Sequence, residues 1–381
     1  MPVQENRYLE SARRAADWVI NNQIPPRARD VMGGNFIFSR YYNTRVASDA
    51  CAEWNLAFGI MAMLSAGKVF GEKKYLRSAE GMMRFLENLQ IFSPSLKEHR
   101  GAIRETFPHT TWCFVRDALS AAWGFLEYYR FTGKEEYLER ALLWAEWCMK
   151  HGFDETGWPR WGVVFEESSV MGIVPAMRDD LHGCFHGGSL NFFYQLYRAT
   201  GDKKWVGPFF EHMADYFCST IQQEDGFFRT VEKATGKIPE TDPQNGLHRG
   251  NDDLGTLGVL CAWQIYPKAA YVETIRKFLT AVTGKLDDKG CFEASCAANP
   301  VILNIFHEAG KYGIVQIAPE MQTKILDGLL NRQYLDPDPL FYGAFNELPE
   351  NGLCVRSLMY SIIVLLKLFG NDGRFLAADG Q

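Results

Sequence analysis

The chain has 381 residues, of which 47% are hydrophobic, and its formal net charge is −6 at pH 7. This apolar fraction predicts a folded domain with a large core, and the negative charge disfavours nucleic acid and anionic membranes as partners. No apolar run reaches the roughly 18 residues of a spanning helix, because the most apolar stretch, 358–369, contains Lys367. We therefore expect a globular enzyme without a membrane span.

Helix-like stretches occur in six pairs, and each pair encloses a segment rich in glycine and aromatic residues. In chain order the predicted pairs are 8–23 with 48–66, 72–90 with 110–132, 134–151 with 180–200, 202–222 with 249–265, 267–284 with 298–312, and 318–333 with 353–370. Each repeat covers roughly 60 residues, longer than the common solenoid periods. Six helical hairpins predict an all-α fold, an (α/α)6 toroid. No linker-like segment interrupts the rhythm, which predicts one domain over 1–381.

The connections alternate between short and long. Short links at 67–71, 132–134 and 200–202 place a glycine stop after the second helix of a pair. The long segments repeat a glycine followed by aromatic or β-forming residues, at Gly34, Gly157, Gly226, Gly290 and Gly343. Loops over about 12 residues in a compact domain are usually functional. We therefore expect the site at the end of the toroid that carries these loops, with short β-hairpin-like loops around it.

The cysteines and the amino terminus predict an intracellular location for the protein. The first residues lack the basic and then apolar layout of a secretory signal. Nine cysteines is an odd number, and most lie within helical patterns. The cysteines within helical patterns are Cys51, Cys113, Cys148, Cys184, Cys218 and Cys261. We expect reduced core thiols in a cytoplasmic protein, and no pattern predicts the oligomeric state.

Aromatic residues make up 14% of the chain and form two groups. One group shares a position near the start of the first helix in successive pairs, which predicts packing; it consists of Tyr75, Tyr137 and Trp205. The other lies in or beside the long segments and consists of Trp54, Trp112, Trp158 and Trp161. An indole face there can stack on the apolar face of a sugar ring. The alternative is that these tryptophans only fill the mouth of the toroid.

Polar residues concentrate near the starts of the second helices, which the loop argument places around one mouth. The five clusters are Ser48-Asp49 with Glu53-Trp54; His109 with Trp112, Arg116 and Asp117; residues 178–182 with His186; residues 248–253; and Asn346-Glu347 with Arg356. A helix start has unsatisfied N–H donors and favours negative charge. Capping is therefore an alternative role for any single aspartate there.

Two clusters contain aspartate doublets, Asp179-Asp180 and Asp252-Asp253, although one acid is enough to cap a helix. Crowded carboxylates raise the pKa of one group and leave the other ionised. Cleavage of a glycosidic bond requires such a proton donor beside a stabilising carboxylate. Neighbouring cations could hold an acidic substrate group such as a uronate carboxylate. These cations are Arg178, Arg249, His182, His186 and His248.

Metal and nucleotide sites are disfavoured. Asp179, His182 and His186 have a spacing that could place them on one helix face, as zinc ligands require, but no His-Glu-x-x-His or Cys-x-x-Cys motif accompanies them. The run Gly187-Gly188-Ser189 lies inside a helical pattern without a surrounding β-α-β alternation. We therefore expect no metal and no cofactor.

The segment Arg249-Gly250-Asn251, followed by Gly255 and Gly258, resembles the uronate-binding helix start of six-hairpin glycosidases. The resemblance is strongest to the unsaturated glucuronyl and rhamnogalacturonyl hydrolases of glycoside hydrolase families 88 and 105, and extends to related glucuronidases. It implies that Asp179 or Asp180 corresponds to the catalytic aspartate. Two positions depart from the family pattern: Asp253 replaces a tryptophan, and His109-Thr110 replaces a His-Asp pair. The doublet Asp252-Asp253 would then supply the missing acid.

The predicted function is a glycoside hydrolase that removes a glucuronic or 4,5-unsaturated glucuronic acid residue from an oligosaccharide. The predicted acid/base residues are Asp252 and Asp179 or Asp180, with Asp253 beside them. The predicted substrate-binding residues are Arg178, Arg249, His109, His182, His186, His248, Trp54, Trp112, Trp161, Glu53 and Glu347.

Other functions remain open at this point. A uronate lyase, or an isomerase like the N-acylglucosamine 2-epimerases, would use a histidine to abstract a proton next to a carboxylate or carbonyl group. Outside the enzymes, the alternative is a non-catalytic helical-repeat binding protein. Its typical features are short turns and an extended concave surface, which the long loops do not match.

Overall fold

Helices and connecting loops make up the computed structural model, which describes residues 3–25, 33–36, 39–45, 47, 51–165, 177–178, 180–181, 183–239, 254–292, 298–348 and 352–379. Within these ranges there are twelve α-helices: α1 Val3–Asn22, α2 Glu53–Phe70, α3 Lys73–Leu89, α4 Val115–Thr132, α5 Glu135–Trp147, α6 Gly183–Thr200, α7 Pro208–Tyr216, α8 Gly255–Ile265, α9 Ala269–Thr283, α10 Ala298–Lys311, α11 Pro319–Leu330 and α12 Val355–Phe369. The strands are β1 Ser39–Tyr41, β2 Trp112–Phe114, β3 Gly162–Val164, β4 Asp180–Leu181, β5 Val231–Glu232, β6 Asn346–Leu348 and β7 Gly352–Cys354.

The even-numbered helices form a closed inner ring. Along this ring α2 packs on α4, α4 on α6, α6 on α8, α8 on α10 and α10 on α12, and α12 returns to α2. Each odd-numbered helix lies outside, on the inner helix of the preceding hairpin: α3 on α2, α5 on α4, α7 on α6, α9 on α8, α11 on α10, and α1 on α12. This closed ring of six hairpins is the predicted (α/α)6 toroid.

The helix ends show where the sequence prediction was less accurate. The stretch 110–132 becomes helical only at Val115, because the residues before it form β2. The stretch 202–222 consists of a 3₁₀ turn at Lys203–Val206, α7, and a π turn at Phe217–Ile221. The predicted end of the second helix at 66 was wrong, since α2 continues to Phe70 and ends at Gly71, whose φ is 69°. Gly133 and Gly201 end their helices in the same left-handed conformation.

A repeated contact joins five of the hairpins to the next one along the ring. Gln333, which follows α11, donates hydrogen bonds from Nε2 to the carbonyl of Gly343 in its own loop, at 2.8 Å, and to that of Ser11 in α1, at 3.0 Å. A Cβ on Gly343 would lie 2.3 Å from the carbonyl oxygen of Arg14 in α1. The loop of the last hairpin therefore presses directly on the first outer helix and closes the ring.

The same amide bridge occurs in four other hairpins. In each one, a side-chain amide donates to the carbonyl of the loop glycine and to a carbonyl of the following outer helix. In the second hairpin this glycine is Gly101, which occupies the position of the recurring glycines. The bridging residues are Gln23, Gln90, Gln222 and Asn299. Buried backbone carbonyls require a donor, so these amides fix the start of every loop in which they occur.

Short antiparallel sheets link the long loops to each other at one end of the toroid. β2 of the second hairpin pairs with β3 of the third, and β4 of the third pairs with β5 of the fourth. β7 of the last hairpin pairs with β6 and with β1 of the first. Since β2 and β7 run directly into α4 and α12, these sheets set the positions of the side chains at the inner-helix starts. We call this end the mouth.

The carboxyl-terminal segment closes the opposite end. Phe375, Leu376, Ala377 and Ala378 are buried, and their backbone groups are bonded to inner helices. Carbonyls of this segment accept from Gln195 of α6 at 2.8 Å, from Asn304 of α10 at 3.0 Å and from Lys367 of α12 at 2.9 Å. The toroid is therefore plugged at this end, which leaves the mouth as the accessible end of the ring.

Core positions agree with the interpretation of the aromatic and cysteine patterns. Tyr75, Tyr137 and Trp205 are all buried, as predicted for packing residues. The seven cysteines that the structure describes are all unpaired thiols, and six of them are buried. No helix in the described ranges is both long and apolar enough to cross a membrane.

Candidate active site

Three carboxyl groups from two neighbouring hairpins meet at the mouth. Glu53 is the first residue of α2, Asp117 lies in the first turn of α4, and Glu105 lies in the loop before β2. The backbone fixes Glu105 between the other two. Its carbonyl accepts from the N–H of Glu53 at 3.2 Å and its N–H donates to the carbonyl of Trp112 at 3.2 Å. Its side-chain Oε2 accepts from the N–H of Phe114 at 2.9 Å.

Burial increases along this series of acids. The side chain of Asp117 is 19% exposed, Glu105 is 4% exposed and Glu53 is fully buried. Neither carboxyl oxygen of Glu53 has a hydrogen-bond partner among the described residues. An ionised carboxylate in such a place would lack both water and donors.

The protonation of the two glutamates follows from these surroundings. Burial raises the pKa of Glu53 well above its ordinary value, and the charges of Glu105 and Asp117 raise it further. Burial also raises the pKa of Glu105 well above its ordinary value, helped by the charge of Asp117 and opposed by the N–H of Phe114. Both glutamates therefore favour the neutral carboxylic acid form more strongly than an exposed glutamate does.

Asp117 differs because a cation stands beside it. Nη1 of Arg116 lies 3.4 Å from Oδ1 of Asp117 and 3.3 Å from the hydroxyl of Ser120. The same guanidinium lies 5.1 Å from the ring centre of Trp54. A neighbouring cation favours the charged form of a carboxylate. The mouth therefore places Asp117, beside a cation, in front of two acids whose pKa is raised.

Aromatic side chains line the mouth beside these acids. Trp112 and Phe114, both on β2, have ring centres 4.8 Å apart, and Phe114 meets Trp161 edge-on at 6.3 Å. Strand pairing of β2 with β3 holds this group, since the carbonyl of Trp161 accepts from the N–H of Val115 at the start of α4, at 3.1 Å. Trp54, Trp112 and Trp161 are partly exposed, as a sugar platform requires.

Arg178 and Asp180 add a second charged pair next to this aromatic group. The Arg178 guanidinium lies 4.9 Å from the ring centre of Trp161 and forms an ion pair with Asp180. The Arg178 side chain is 29% exposed and that of Asp180 is 10% exposed. Pairing of β4 with β5, with Asp180 opposite Glu232, fixes the backbone here. The structure thus brings these two predicted residues next to predicted Trp161.

Glu347 is also buried, but its pKa is shifted in the direction opposite to that of Glu53 and Glu105. It pairs with Arg356 and accepts a hydrogen bond from the hydroxyl of Ser357, both in the first turn of α12. Burial alone would raise its pKa, but the charge of Arg356 and the bond from Ser357 outweigh burial, and the pKa of Glu347 is lowered. Glu347 therefore stays ionised, and its carboxylate contacts Arg356 and Ser357 at the start of α12.

Two predicted residues lie away from the acids. His109 is exposed on the loop before β2, where its ring stacks on Phe107 with centres 6.0 Å apart. Trp158, considered as a sugar platform, is buried and stacks on His212 of α7 with ring centres 4.3 Å apart. Trp158 is therefore a packing residue.

The remaining predicted residues cannot be compared with the structure. Asp179, His182, His248, Arg249, Asp252 and Asp253 lie outside the described residues, as does the side chain of His186. Among the residues that are described, no cluster of three histidine, cysteine or acidic side chains is arranged to hold a metal. The set of Asp179, His182 and His186, which the sequence pattern disfavours as a metal site, is not covered by this finding.

Sequence reasoning missed Glu105, but the loops contain a signal for it. In five hairpins the second residue after the recurring glycine forms a β-bridge back to the outer helix's end. The fourth residue after the glycine then points the same way. At this position the described loops carry Glu105, Trp161, Thr230 and Glu347. A comparison of the loops in this register would have found Glu105.

Neither a family model nor a curated protein sequence matches the chain. Solved structures match it over nearly the whole length. Cellobiose 2-epimerase from Bacillus thermoamylovorans has a TM-score of 0.72 at 12% identity, covering 96% of this chain and all of that one. A glycoside hydrolase family 76 mannosidase from Bacteroides thetaiotaomicron has a TM-score of 0.67 at 13% identity, covering 96% and 99%.

A third similar structure is an inactive α-1,6-mannanase of the same family from Salegentibacter sp., in complex with α-1,6-mannotriose. Two consecutive aspartates are replaced by asparagine in that variant. Its TM-score is 0.61 at 13% identity, and the match covers 94% of this chain and 98% of that one. At such identities the three likenesses establish the (α/α)6 toroid and leave the chemistry to the residues of the site.

Proposed function

We propose that this protein is a glycoside hydrolase whose active site is the mouth of the toroid. The observation that carries the proposal is the meeting of Glu53, Glu105 and Asp117 beside a group of partly exposed tryptophans. Pairs of titratable groups with divergent pKa values are typical of acid/base sites, and glycosidases need carboxyl groups in both states. The similar structures include mannosidases, which supports a substrate made of sugars.

In this mechanism Asp117 is the carboxylate that serves the reaction centre, because it is the most exposed of the three acids. It accepts the proton of the attacking water or stabilises the positive charge that develops at the sugar's C1. The proton for the departing oxygen comes from a second carboxyl group. We assign that role to Asp252 or to the doublet Asp179-Asp180. Water adds to C1 as the C1–O bond breaks, so the products carry one water molecule more than the substrate.

The aspartate doublets gain support from the mannanase comparison. That enzyme is inactive when two consecutive aspartates are replaced, and this chain contains the consecutive pairs Asp179-Asp180 and Asp252-Asp253. Asp180 is nearly buried and paired with Arg178, so within this doublet we assign it to orientation and Asp179 to proton transfer, with Asp252 as the other candidate donor.

A uronic acid substrate is the finer part of the proposal. Arg178 is partly exposed beside Trp161, so a sugar stacked on the indole would place a C6 carboxylate within reach of the guanidinium. Arginine binds carboxylates through two parallel hydrogen bonds. Arg249 would be the second contact.

Sugar epimerisation is the second candidate, because cellobiose 2-epimerase is among the similar structures, with a TM-score of 0.72. Epimerisation requires a base that removes a proton from a carbon next to a carbonyl group. Of the predicted histidines, His109 is described and lies exposed on a loop. The buried groups of the described mouth are carboxyl groups, which favours hydrolysis.

The proposal is tested with a panel of α- and β-linked oligosaccharides, including mannosides and saturated and 4,5-unsaturated glucuronides. Released reducing sugar and ultraviolet absorbance are followed together. We expect release of sugar, and a 10²- to 10⁴-fold lower rate for Asp117→Asn, in line with about that contribution from acid/base groups. Glu139→Gln, at an exposed position of α5, serves as the control and should match the wild type. A turnover rate of Asp117→Asn close to that of the wild type would show that Asp117 has no role in the mechanism.

A further inference from the structure

Glu105 stands between the partly exposed Asp117 and the fully buried Glu53, and it belongs to neither of the aspartate doublets. Its position is fixed by backbone bonds to Glu53 and Trp112 and by the bond from Phe114 to Oε2. Because Oε2 is occupied as an acceptor, a proton on this carboxyl group belongs on Oε1. A neutral carboxylic acid held in this way can donate a hydrogen bond.

We propose that Glu105 works as a neutral carboxylic acid that donates a hydrogen bond to Asp117, and that Glu53 behind it, also neutral, orients it. Asp117 is the catalytic residue in this arrangement, and Glu105 and Glu53 are positioning residues. The assignment of Asp117 as catalytic rests on the proposed function. The neutral state of the two glutamates is argued from their burial and from the unpartnered oxygens of Glu53, and it does not depend on the proposed function.

The fully buried Glu53 is the independent observation behind this inference. Both of its carboxyl oxygens lack a hydrogen-bond partner among the described residues, which disfavours the ionised form, whereas a protonated Glu53 can donate to Glu105. Interaction with Asp117 raises the pKa of Glu105, and interaction with Glu105 raises the pKa of Glu53. The three groups therefore form a series from the ionised carboxylate at the mouth to neutral acids in the core.

Other charged groups at the inner-helix starts do not reverse the series in which Asp117 is ionised and Glu105 and Glu53 are neutral. Arg116 is already placed against Asp117 and Trp54. On the other side of α2, helix α12 carries Arg356, which is paired with Glu347. The titratable and charged groups beside the pair in the chain, or at the starts of the inner helices packed against α2, are Cys51 before α2, Cys113 on β2, Arg116 and Asp117 on α4, and Arg356 with Glu347 at α12. Burial raises the pKa of both the Cys51 and the Cys113 thiol, so neither adds charge at neutral pH.

The decisive experiment compares the turnover of Glu105→Gln with that of Glu105→Ala. Glutamine resembles a neutral carboxylic acid and keeps a donor, whereas alanine removes it. We expect Glu105→Gln to retain turnover within about threefold and Glu105→Ala to lose it at least 10²-fold, with kcat affected more than KM, since about that factor accompanies misplacement of a catalytic group. Equal losses in the two variants would overturn the donor role.

A second experiment needs no substrate and separates this inference from the proposed function. An acid whose folded pKa is raised takes up a proton on folding above the unfolded pKa, about 4.3 for Glu, so stability falls as pH rises above that value. Glu53→Gln and Glu105→Gln remove this cost. We therefore expect both variants to melt at a higher temperature than the wild type at pH 8, and at the same temperature near pH 4.

Glu347→Gln is the matched control, because the pKa of Glu347 is lowered rather than raised. Its melting temperature should fall below that of the wild type at pH 8, and the gap should narrow as pH decreases through the folded pKa. Infrared spectra at pH 7 should show the carbonyl band of a protonated carboxyl group, weakened in Glu53→Gln and Glu105→Gln. A pH-independent difference from the wild type, or spectra without that band, would overturn the neutral state even if the glycosidase assay succeeds.

Discussion

Single residues decide whether a tryptophan at the mouth serves sugar binding or packing. Trp54 is partly exposed and contacts Arg116 and Phe58, whereas Trp158 is buried against His212. Both come from the same sequence pattern of an aromatic residue in or beside a long loop. The two tryptophans differ in side-chain exposure. This exposure depends on which neighbouring helix packs against each loop.

The two tryptophans should therefore respond differently to truncation. Trp158→Ala removes a buried ring and should lower the free energy of unfolding by about 3–5 kcal/mol, with little effect on saccharide affinity. Trp54→Ala should weaken saccharide binding by about tenfold, about 1.4 kcal/mol, with a smaller change in stability. Urea unfolding and calorimetric titration with the best substrate measure the two effects. The reverse pattern would contradict the platform role of Trp54.

Most of the charged residues at the site could be predicted from the sequence. The side chains that they contact could be predicted less well. The clusters around Glu53, Asp117 and Glu347 were recognised because they begin inner helices. The different roles of Glu53 and Glu347 were not, because Glu347 gains Arg356 and Ser357 only when the chain folds back into α12. Glu105 was missed because it lies in a loop, where helical periodicity gives no guidance.

At the scale of elements, the hairpins are joined by repeated side-chain amides rather than by long sheets. Gln222 donates to the carbonyl of Gly226 in its own loop and to that of Thr274 in α9, both at 3.0 Å. Its neighbour Gln223 bonds only within its own turn, to Thr220 at 2.8 Å and Ile221 at 3.3 Å. The helices were predicted from their pattern, but such bridges were not, since they join residues that are distant in sequence.

This pair of adjacent glutamines offers a test of the bridge. Gln222→Leu keeps the side-chain size but leaves two carbonyls without their donor, which should cost about 1–3 kcal/mol of unfolding free energy. Gln223→Leu disturbs only a local turn and should cost less. The comparison uses thermal and urea unfolding of both variants. Equal costs would mean that the bridge between hairpins has no special role.

On the scale of the whole molecule, the plug at the closed end depends on a buried ion pair. Nζ of Lys367 lies 2.7 Å from Oε1 of Glu308 and 2.6 Å from Oδ1 of Asn304. Oε2 of Glu308 accepts from the N–H of Ala378 at 3.0 Å. Lys367, which interrupts the most apolar stretch of the sequence, is thus the residue that ties α12 to α10 and to the plug.

Lys367→Met should destabilise the protein by about 3 kcal/mol, because it removes the fully buried partner of Glu308 and leaves only the partly exposed Lys311, 3.0 Å from Oε2, to balance this buried charge. The double variant Glu308→Gln with Lys367→Met should recover part of this loss, since it removes the charge and keeps an acceptor for Ala378. Urea unfolding of the two variants measures the difference. A double variant that is less stable than the single one would contradict a penalty caused by the poorly balanced Glu308 charge.

The central claim is that the mouth hydrolyses a glycosidic bond with carboxyl groups. The most direct measurement is proton NMR of the wild type with the panel's oligosaccharides in D₂O. We predict a new reducing-end signal with no deuterium at C2, and its loss in Asp117→Asn. Deuterium at C2 without cleavage would mean epimerisation, and a new vinyl proton would mean a lyase. Either of these results would contradict the hydrolase account.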